Sequence, residues 1–361
     1  MLPFLRASAS AKATSPARRA ILRGLATLAQ EVRSDESFHI PVVSFNKWRE
    51  ATSESEKKAT ADEVVTAFRE VGFVYLRGHG IGPGVVDTAF KQSAKFFSQP
   101  TEDKAKLAWE DPRSNRGYVQ PGRERVTQSS DATEIAALRA KAPDYKESME
   151  IGRDWDATWR NQWPVEAAVP GFKSTMLDFF QRCHNLHVEV MSSIALGLGL
   201  KEKFFDSLIQ EQYHNLRLLN YPSIPRELLQ VEGTSRAGAH SDYGSLTFVF
   251  QDAVGGLEVQ NPHTRNWHPA TPIPDTIVVN VGDLLARWSN DTLRSTLHRV
   301  VAPRISDGAT MTPSRQSMAF FCNPNGTATI ECLPTCVGHG ARYPAVQTEK
   351  YIVGRLTDTY A

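Results

Sequence analysis

A chain of 361 residues, 41% hydrophobic and 22% charged, can bury a large core as one big domain or two ordinary ones, and nothing in it suggests overall disorder. Its 41 Lys and Arg nearly balance 40 Asp and Glu, so no global field draws it to nucleic acid or to an acidic membrane surface. Four cysteines without a C-x-x-C pair argue against a secreted disulfide framework, and no apolar run reaches the roughly twenty residues that span a bilayer.

Residues 1–30 carry Arg6, Lys12, Arg18, Arg19 and Arg23 and no acid before Glu31, the composition of a mitochondrial transit peptide. We therefore set residues 1–35 apart as a leader and expect a mitochondrial protein, or a cytoplasmic one if the leader does not target. Ile40 to Phe45 reads as a short strand, and Val64, Val65, Phe68 and Val71 recur at helical spacing up to Gly72. Phe73 to Leu76 is a buried-type strand with His79 in the turn after it, and a second amphipathic helix runs from Gly84 to Phe97. Between Trp109 and Pro170 periodicity is lost, and Trp155, Trp159 and Trp163 suggest an ordered, aromatic-anchored cover over an active site. Phe172 to Leu200 gives the longest helix, striped with Met176, Phe179, Cys183, Leu186, Val190 and Ile194. His184 and His187 ride on it as polar-face or satisfied core residues.

After Tyr213 the chain turns to short β runs separated by Pro, Gly and Asn. They are Leu216 to Tyr221, Leu246 to Phe250, Leu257 to Gln260, Thr276 to Val281, Thr296 to Val301, Gln316 to Cys322 and Thr329 to Cys332. Seven or eight such strands close most economically as a double-sheet jelly roll. The expected fold is thus an all-β core with α-helices, a jelly-roll (double-stranded β-helix) barrel at residues 201–361 behind an N-terminal α/β lobe at 36–200. A last polar helix, Thr348 to Thr357, is expected to pack on the outside.

Chemistry concentrates in Ala239-His240-Ser241-Asp242-Tyr243. On an extended strand His240 and Asp242 project to the same side, and an imidazole beside a carboxylate can hold a divalent metal with most of its sphere open. The best third ligand is His298, in another strand-like segment. Two His and one carboxylate on one face of a metal is the arrangement associated with non-haem Fe(II) oxygenases. Further on, Arg315 and Ser317 share a strand face and offer a guanidinium fork and a hydroxyl for a carboxylate.

In this order, His240-x-Asp242, His298 and Arg315-x-Ser317, with Asn220-Tyr221-Pro222 upstream, resemble the 2-oxoglutarate/Fe(II) dioxygenases of the isopenicillin N synthase-like group. The match is nearest to the fungal thymine-hydroxylating members, through segments such as Asn115-Arg116-Gly117-Tyr118, Gly282-Asp283-Leu284-Leu285 and Phe320-Phe321-Cys322-Asn323. It runs from about Ile40 to the C-terminus. The resemblance implies Fe(II) on His240, Asp242 and His298, 2-oxoglutarate on Tyr221, Arg315 and Ser317, and O2 as oxidant. It further implies a pyrimidine base between the rings of Tyr243 and Phe321 with Arg217 and Asn290 at its edge, oxidised on its 5-methyl group as the co-substrate becomes succinate and CO2. Asn220 departs from the His expected there, which marks it as a position bearing on substrate choice. The competing readings are a dioxygenase of fungal secondary metabolism acting on a larger hydrophobic scaffold, and a non-catalytic or zinc-binding relative. The partner expected is a small molecule, with no nucleic acid or membrane, and the oligomeric state is left open.

Overall fold

The computed structural model describes residues 35, 38–109, 111, 113–122, 144–230, 236–302 and 308–360. The leader and the middle of the Trp109–Pro170 segment therefore lie outside the described residues. Among the described residues fourteen strands follow in chain order: β1 Val42–Ser44, β2 Phe73–Arg77, β3 Gly117–Val119, β4 Glu147–Gly152, β5 Asn215–Tyr221, β6 Ala237–His240, β7 Leu246–Gln251, β8 Leu257–Gln260, β9 Trp267–Pro269, β10 Thr276–Val281, β11 His298–Val300, β12 Arg315–Cys322, β13 Thr329–Ile330 and β14 Val346–Gln347. Eight of them form one sheet in the order β1-β2-β10-β7-β12-β5-β4-β3, four form a second in the order β6-β11-β8-β9, and β13 and β14 make a small ribbon. The two sheets face each other as a jelly roll, and the active-site pocket lies between them.

The large sheet draws on both sides of residue 200. Strands β1 and β2 lengthen one end through β2–β10 pairing, and β3 and β4 lengthen the other through β4–β5 pairing. Strand β4 departs from expectation, because Glu147-Ser148-Met149-Glu150 reads as polar loop, yet all six of its residues are buried. Glu147 accepts from Lys104 Nζ at 2.8 Å, from Asn220 Nδ2 at 2.8 Å and from the Tyr118 hydroxyl, and Glu150 lies 2.7 Å from Arg217 Nε. Buried carboxylates are tolerable only with such partners.

Behind the large sheet lies the helix Phe172–Gly197, which buries Phe172, Met176, Phe179, Cys183, Val190 and Ile194 completely. Each such side chain contributes about 1.5–3 kcal/mol by leaving water, enough in sum to fix the helix on the sheet. The helix Glu54–Glu70 packs beside it, started by Ser53 Oγ accepting from Glu56 N at 3.2 Å while Glu56 Oε2 accepts from Thr52 N at 2.8 Å. Gly197 lies so close to Ala61 and Val65 of that neighbour that any side chain there would overlap them. Among the described residues no helix is long and apolar enough to cross a membrane.

Four histidines outside the pocket are buried as neutral imidazoles. Burial, then the Arg49 charge, pushes His79 down to about 4; burial, then His184, pushes His187 to about 3; burial lowers His184 and His214 as well. Since their folded values lie below the ordinary 6.5, protonation favours the unfolded chain. Stability present above pH 6.5 is therefore lost as pH falls toward 4, by roughly 1.4 kcal/mol per pH unit at most for each of His79 and His187, with His184 and His214 acting in the same direction. Urea titrations from pH 7.5 to 4.5 should show midpoints falling steeply below pH 6.5, and a flat profile would contradict these burials.

Candidate active site

Strand β6 ends in His240, and β11 begins with His298. They are directly paired across the small sheet, with ring centroids 4.3 Å apart. Asp242 follows two residues after the end of β6, and its Oδ1 lies 3.8 Å from His240 Nε2 and 3.7 Å from His298 Nε2. The three ligand atoms all fall within 4.8 Å of one another. Each imidazole is turned by its own strand: His240 Nδ1–H donates to Gly238 O at 2.7 Å, and His298 Nδ1–H donates to Thr296 O at 3.2 Å. Both Nε2 lone pairs are thereby left toward Asp242, as backbone-oriented ligating histidines require. Asn280 Nδ2 donates to Asp242 Oδ2 at 2.8 Å, which leaves Oδ1 facing the imidazoles. Burial, then His298, holds the His240 imidazole at about 3, so it is neutral and ligand-ready at physiological pH. Two imidazole nitrogens and one carboxylate oxygen, with no thiolate, fit a ferrous ion.

Deeper in the same cavity β12 and β5 pair Arg315 with Tyr221 and Ser317 with Leu219. Arg315 is 1% exposed, its guanidinium sits 4.8 Å over the Tyr221 ring, and its Nη1 donates to Ser317 Oγ at 3.0 Å. Among the described residues no carboxylate pairs with it, and its Nε has no hydrogen-bond partner. A guanidinium buried without an anion is costly unless an anionic ligand supplies one, so this end of the cavity fits a carboxylate.

The cavity, about 130 Å³, connects both ends and is lined among others by Arg217, Leu219, Tyr243, Phe321 and Asn323. Arg217 lies 5.3 Å over the Phe321 ring and is anchored by Glu150. Thus nine of the ten expected site residues line one cavity, from Arg217 and Tyr221 to Phe321.

Asn290 does not join them, which corrects the expectation. It ends the helix Asp283–Trp288 in a left-handed conformation (φ 54°), and its side chain fastens the 336–342 loop, donating to Cys336 O at 3.0 Å and Gly340 O at 3.1 Å and accepting from Arg342 N at 2.9 Å. The asparagines that line the cavity are Asn115, Asn215 and Asn323. Asn215 Nδ2 donates to Asn115 O at 2.9 Å, while Asn323, just after β12, is passed over by sequence reasoning because nothing in Asn323-Pro324-Asn325 tells which way the chain leaves the strand. Asn280 escapes for a similar reason. Asn220 points to the other face of β5, bonded to Glu147, and stands apart from the cavity lining.

Two further differences concern what covers the cavity. Trp155, Trp159 and Trp163 do not line it, and the described part of the Trp109–Pro170 segment reaches the cavity through Asn115 and Lys146: Trp155 is 61% exposed, and Trp163 packs edge-on against Phe172. The last helix, Thr348–Tyr360, packs over the mouth rather than on the outside, with Ile352 and Leu356 in the cavity wall. Arg355 pins it there, 4.5 Å over the Tyr243 ring and 3.2 Å from Asp283 Oδ2. Arg355→Ala should raise the KM for the organic substrate about two- to thirtyfold, the span of a cation–π contact of roughly 0.5–2 kcal/mol. The KM for the carboxylate co-substrate at the far end should stay put; steady-state kinetics in each ligand separates the two.

A jelly roll holding a two-histidine, one-carboxylate triad beside a buried arginine defines a non-haem iron oxygenase that takes an oxo-acid co-substrate. Residues 209–324 match the 2OG-Fe(II) oxygenase superfamily, and residues 40–166 match the family described as non-haem dioxygenase in morphine synthesis N-terminal. The chain belongs to the 2OG-Fe(II) oxygenase superfamily and uses Fe(II), 2-oxoglutarate and O2. It is 46% identical to the Neurospora crassa thymine 7-hydroxylase crystallised with alpha-KG and thymine, over 89% of this chain and 97% of that one, with a TM-score of 0.81. It is also similar to the 2-oxoglutarate-Fe(II) type oxidoreductase ppzD of Metarhizium rileyi (35% identical, 82% of this chain, 85% of that protein). A proline hydroxylase of Petromyces alliaceus is 35% identical over 84% of this chain and 94% of its own length.

Proposed function

We propose that this oxygenase hydroxylates the 5-methyl group of thymine or a closely related pyrimidine, with His240, Asp242 and His298 as its iron ligands and Tyr221, Arg315 and Ser317 holding 2-oxoglutarate. The observation that carries the substrate is the arrangement opposite the triad. Tyr243 and Phe321 offer π faces, and Arg217 and Asn323 offer directional donors and an acceptor at the edge of the same cavity. A flat, polar ring satisfies both kinds of group at once. The thymine complex of the Neurospora crassa enzyme supports the same choice.

Bound to the triad, iron supplies oxygen activation coupled to decarboxylation of 2-oxoglutarate to succinate and CO2. The chain's own part is to bind and orient. Arg315 and Ser317 would grip the distal carboxylate, and Tyr221 would bound it. The carbonyls of Gly238 and Thr296 fix the proton on Nδ1 and keep both imidazoles aimed, and Asn280 keeps Asp242 turned toward them. Leu219, Ile352 and Leu356 exclude water around the reacting methyl group. No side chain is asked to serve as general acid or base.

Purified, iron-loaded protein given 2-oxoglutarate and thymine in air should release succinate and a hydroxymethyl product in equal amounts. Absence of coupled product with every pyrimidine would overturn the substrate while leaving the class intact. A second reading, a dioxygenase of fungal secondary metabolism acting on a larger hydrophobic scaffold, rests on the 35% identity to the Metarhizium and Petromyces proteins. Stimulation of succinate release by such scaffolds and by no pyrimidine would favour it.

We also propose that the leader ahead of Asp35 directs the protein to mitochondria, on the acid-free basic composition of residues 1–30. Asp35 Oδ1 accepts from Thr264 Oγ1 at 2.7 Å and lies 2.8 Å from His268 Nε2, so a cut that keeps these contacts falls before Asp35. Import into isolated mitochondria by the full chain, lost on starting at Asp35, is the expected result; equal import of both would refute it.

A further inference from the structure

Behind the large sheet, outside the cavity, three imidazoles converge: His184 and His187 on the Phe172–Gly197 helix and His214 just before β5. Their ligand-type nitrogens lie within 4.8 Å of one another, a spacing that would suit a metal ion. The hydrogen bonds argue otherwise. Asn323 N–H donates to His214 Nδ1 at 3.0 Å, so that nitrogen is unprotonated and the ring proton sits on Nε2. A protonated Nε2 cannot ligate; it donates instead to His184 Nδ1, 3.1 Å away. Beside this chain Ser245 Oγ donates to Cys322 O at 2.9 Å and lies 3.3 Å from His187 Nε2, so the His187 proton points at the serine oxygen. Burial keeps all three rings neutral, which preserves these donor and acceptor assignments across the physiological range.

Resting on the substrate reading above, we propose that this cluster is a tautomer-locked relay, and that His214 is a positioning residue which sets Asn323 at the substrate edge of the cavity. The place of each residue explains why an imidazole is used. Strands β12 and β5 stop pairing at Phe321 and Asn215, so Asn323 N–H lies past the last rung of the ladder. His214, one residue before β5, puts its Nδ1 where a ladder carbonyl would otherwise accept. The relay then carries the connection back to a helix that does not itself reach the cavity. On the opposite side Gly244 packs against Asn323, since a Cβ at that position would overlap Asn323 Oδ1. Asn323 is thus held between the relay and the Asp242–Ser245 turn. Among the described residues its carboxamide makes no hydrogen bond to the protein, leaving an acceptor and a donor for a planar amide edge.

The test compares wild type, His214→Leu and His214→Asn in the full chain. The asparagine oxygen stands near the place of Nδ1 and keeps the acceptor. Amide exchange at Asn323 should speed about fivefold or more in His214→Leu, the loss of one neutral hydrogen bond, and return toward wild type in His214→Asn. In turnover, His214→Leu should raise the KM for the pyrimidine by about fivefold or more with the KM for 2-oxoglutarate unchanged, and His214→Asn should recover most of it. Unchanged exchange, a parallel rise in both KM values, or a His214→Asn variant as poor as His214→Leu would overturn the proposal. So would uptake of one zinc ion per chain by a variant lacking His240 and His298. Should the wild type oxidise no pyrimidine, the substrate reading fails by itself, and the exchange comparison still decides whether the relay exists.

Discussion

Asp242→Ala should bind no ferrous ion at concentrations that saturate the wild type, and its turnover should vanish. The carboxylate is the only charged member of the triad, it is 6% exposed, and both imidazoles are aimed at its Oδ1. Removing it leaves two neutral ligands and takes away the carboxylate that completes the two-histidine, one-carboxylate set for Fe(II). Replacing an outer partner should do less: Asn280→Ala frees Asp242 Oδ2 and should cost about 10- to 100-fold in metal affinity or activity. Thermal melting gives an activity-independent check. Ferrous ion should raise the melting temperature of the wild type, because a ligand that binds only the folded chain stabilises it, and should leave Asp242→Ala where it was. An equal shift in both would place the iron elsewhere.

Arg315→Leu should raise the KM for 2-oxoglutarate about 10²- to 10³-fold. The change removes a buried, charge-assisted pair of bonds to a carboxylate, and truncating one partner of such a pair costs about 2–5 kcal/mol. Without 2-oxoglutarate the variant should be no less stable than wild type, because a guanidinium that has no protein carboxylate to pair with is replaced by an apolar side chain. The prediction is therefore a reversal: stability kept or gained in the empty chain, affinity lost for the co-substrate. Isothermal titration of the anaerobic iron form, beside urea unfolding of the empty form, measures both. Retention of wild-type affinity would show that Arg315 faces something other than the oxo acid.

The legible part of this site is the part whose geometry is local. His240-x-Asp242 and Arg315-x-Ser317 share a face because alternate residues on an extended chain do, and sequence suffices to say so. His298 is found by residue type and distance along the chain, and the β6–β11 pairing supplies the contact. The strands Leu257–Gln260 and Thr276–Val281 are legible to the residue, being apolar runs bounded by turns.

What escapes depends on pairing between distant segments. Strand β4 is written in Glu, Ser and Met because its buried carboxylates meet Lys104, Arg217 and Asn220, from elements 43 to 73 residues away. Asn290 and Asn323 are the same residue type in similar turn-like surroundings. Only the path of the 336–342 loop, which consumes the Asn290 side chain, sends one away from the substrate and leaves the other facing it. The final helix reads as polar because its apolar residues are few, yet Ile352 and Leu356 are the ones that reach the cavity.

The most direct test of the whole account is turnover under ¹⁸O₂, with wild-type protein, Fe(II), 2-oxoglutarate and thymine, read by mass spectrometry. One labelled oxygen in succinate and one in the hydroxymethyl product, formed in equal amounts, is the predicted result. Product oxygen drawn from water, or labelled succinate accumulating with thymine untouched, would contradict it.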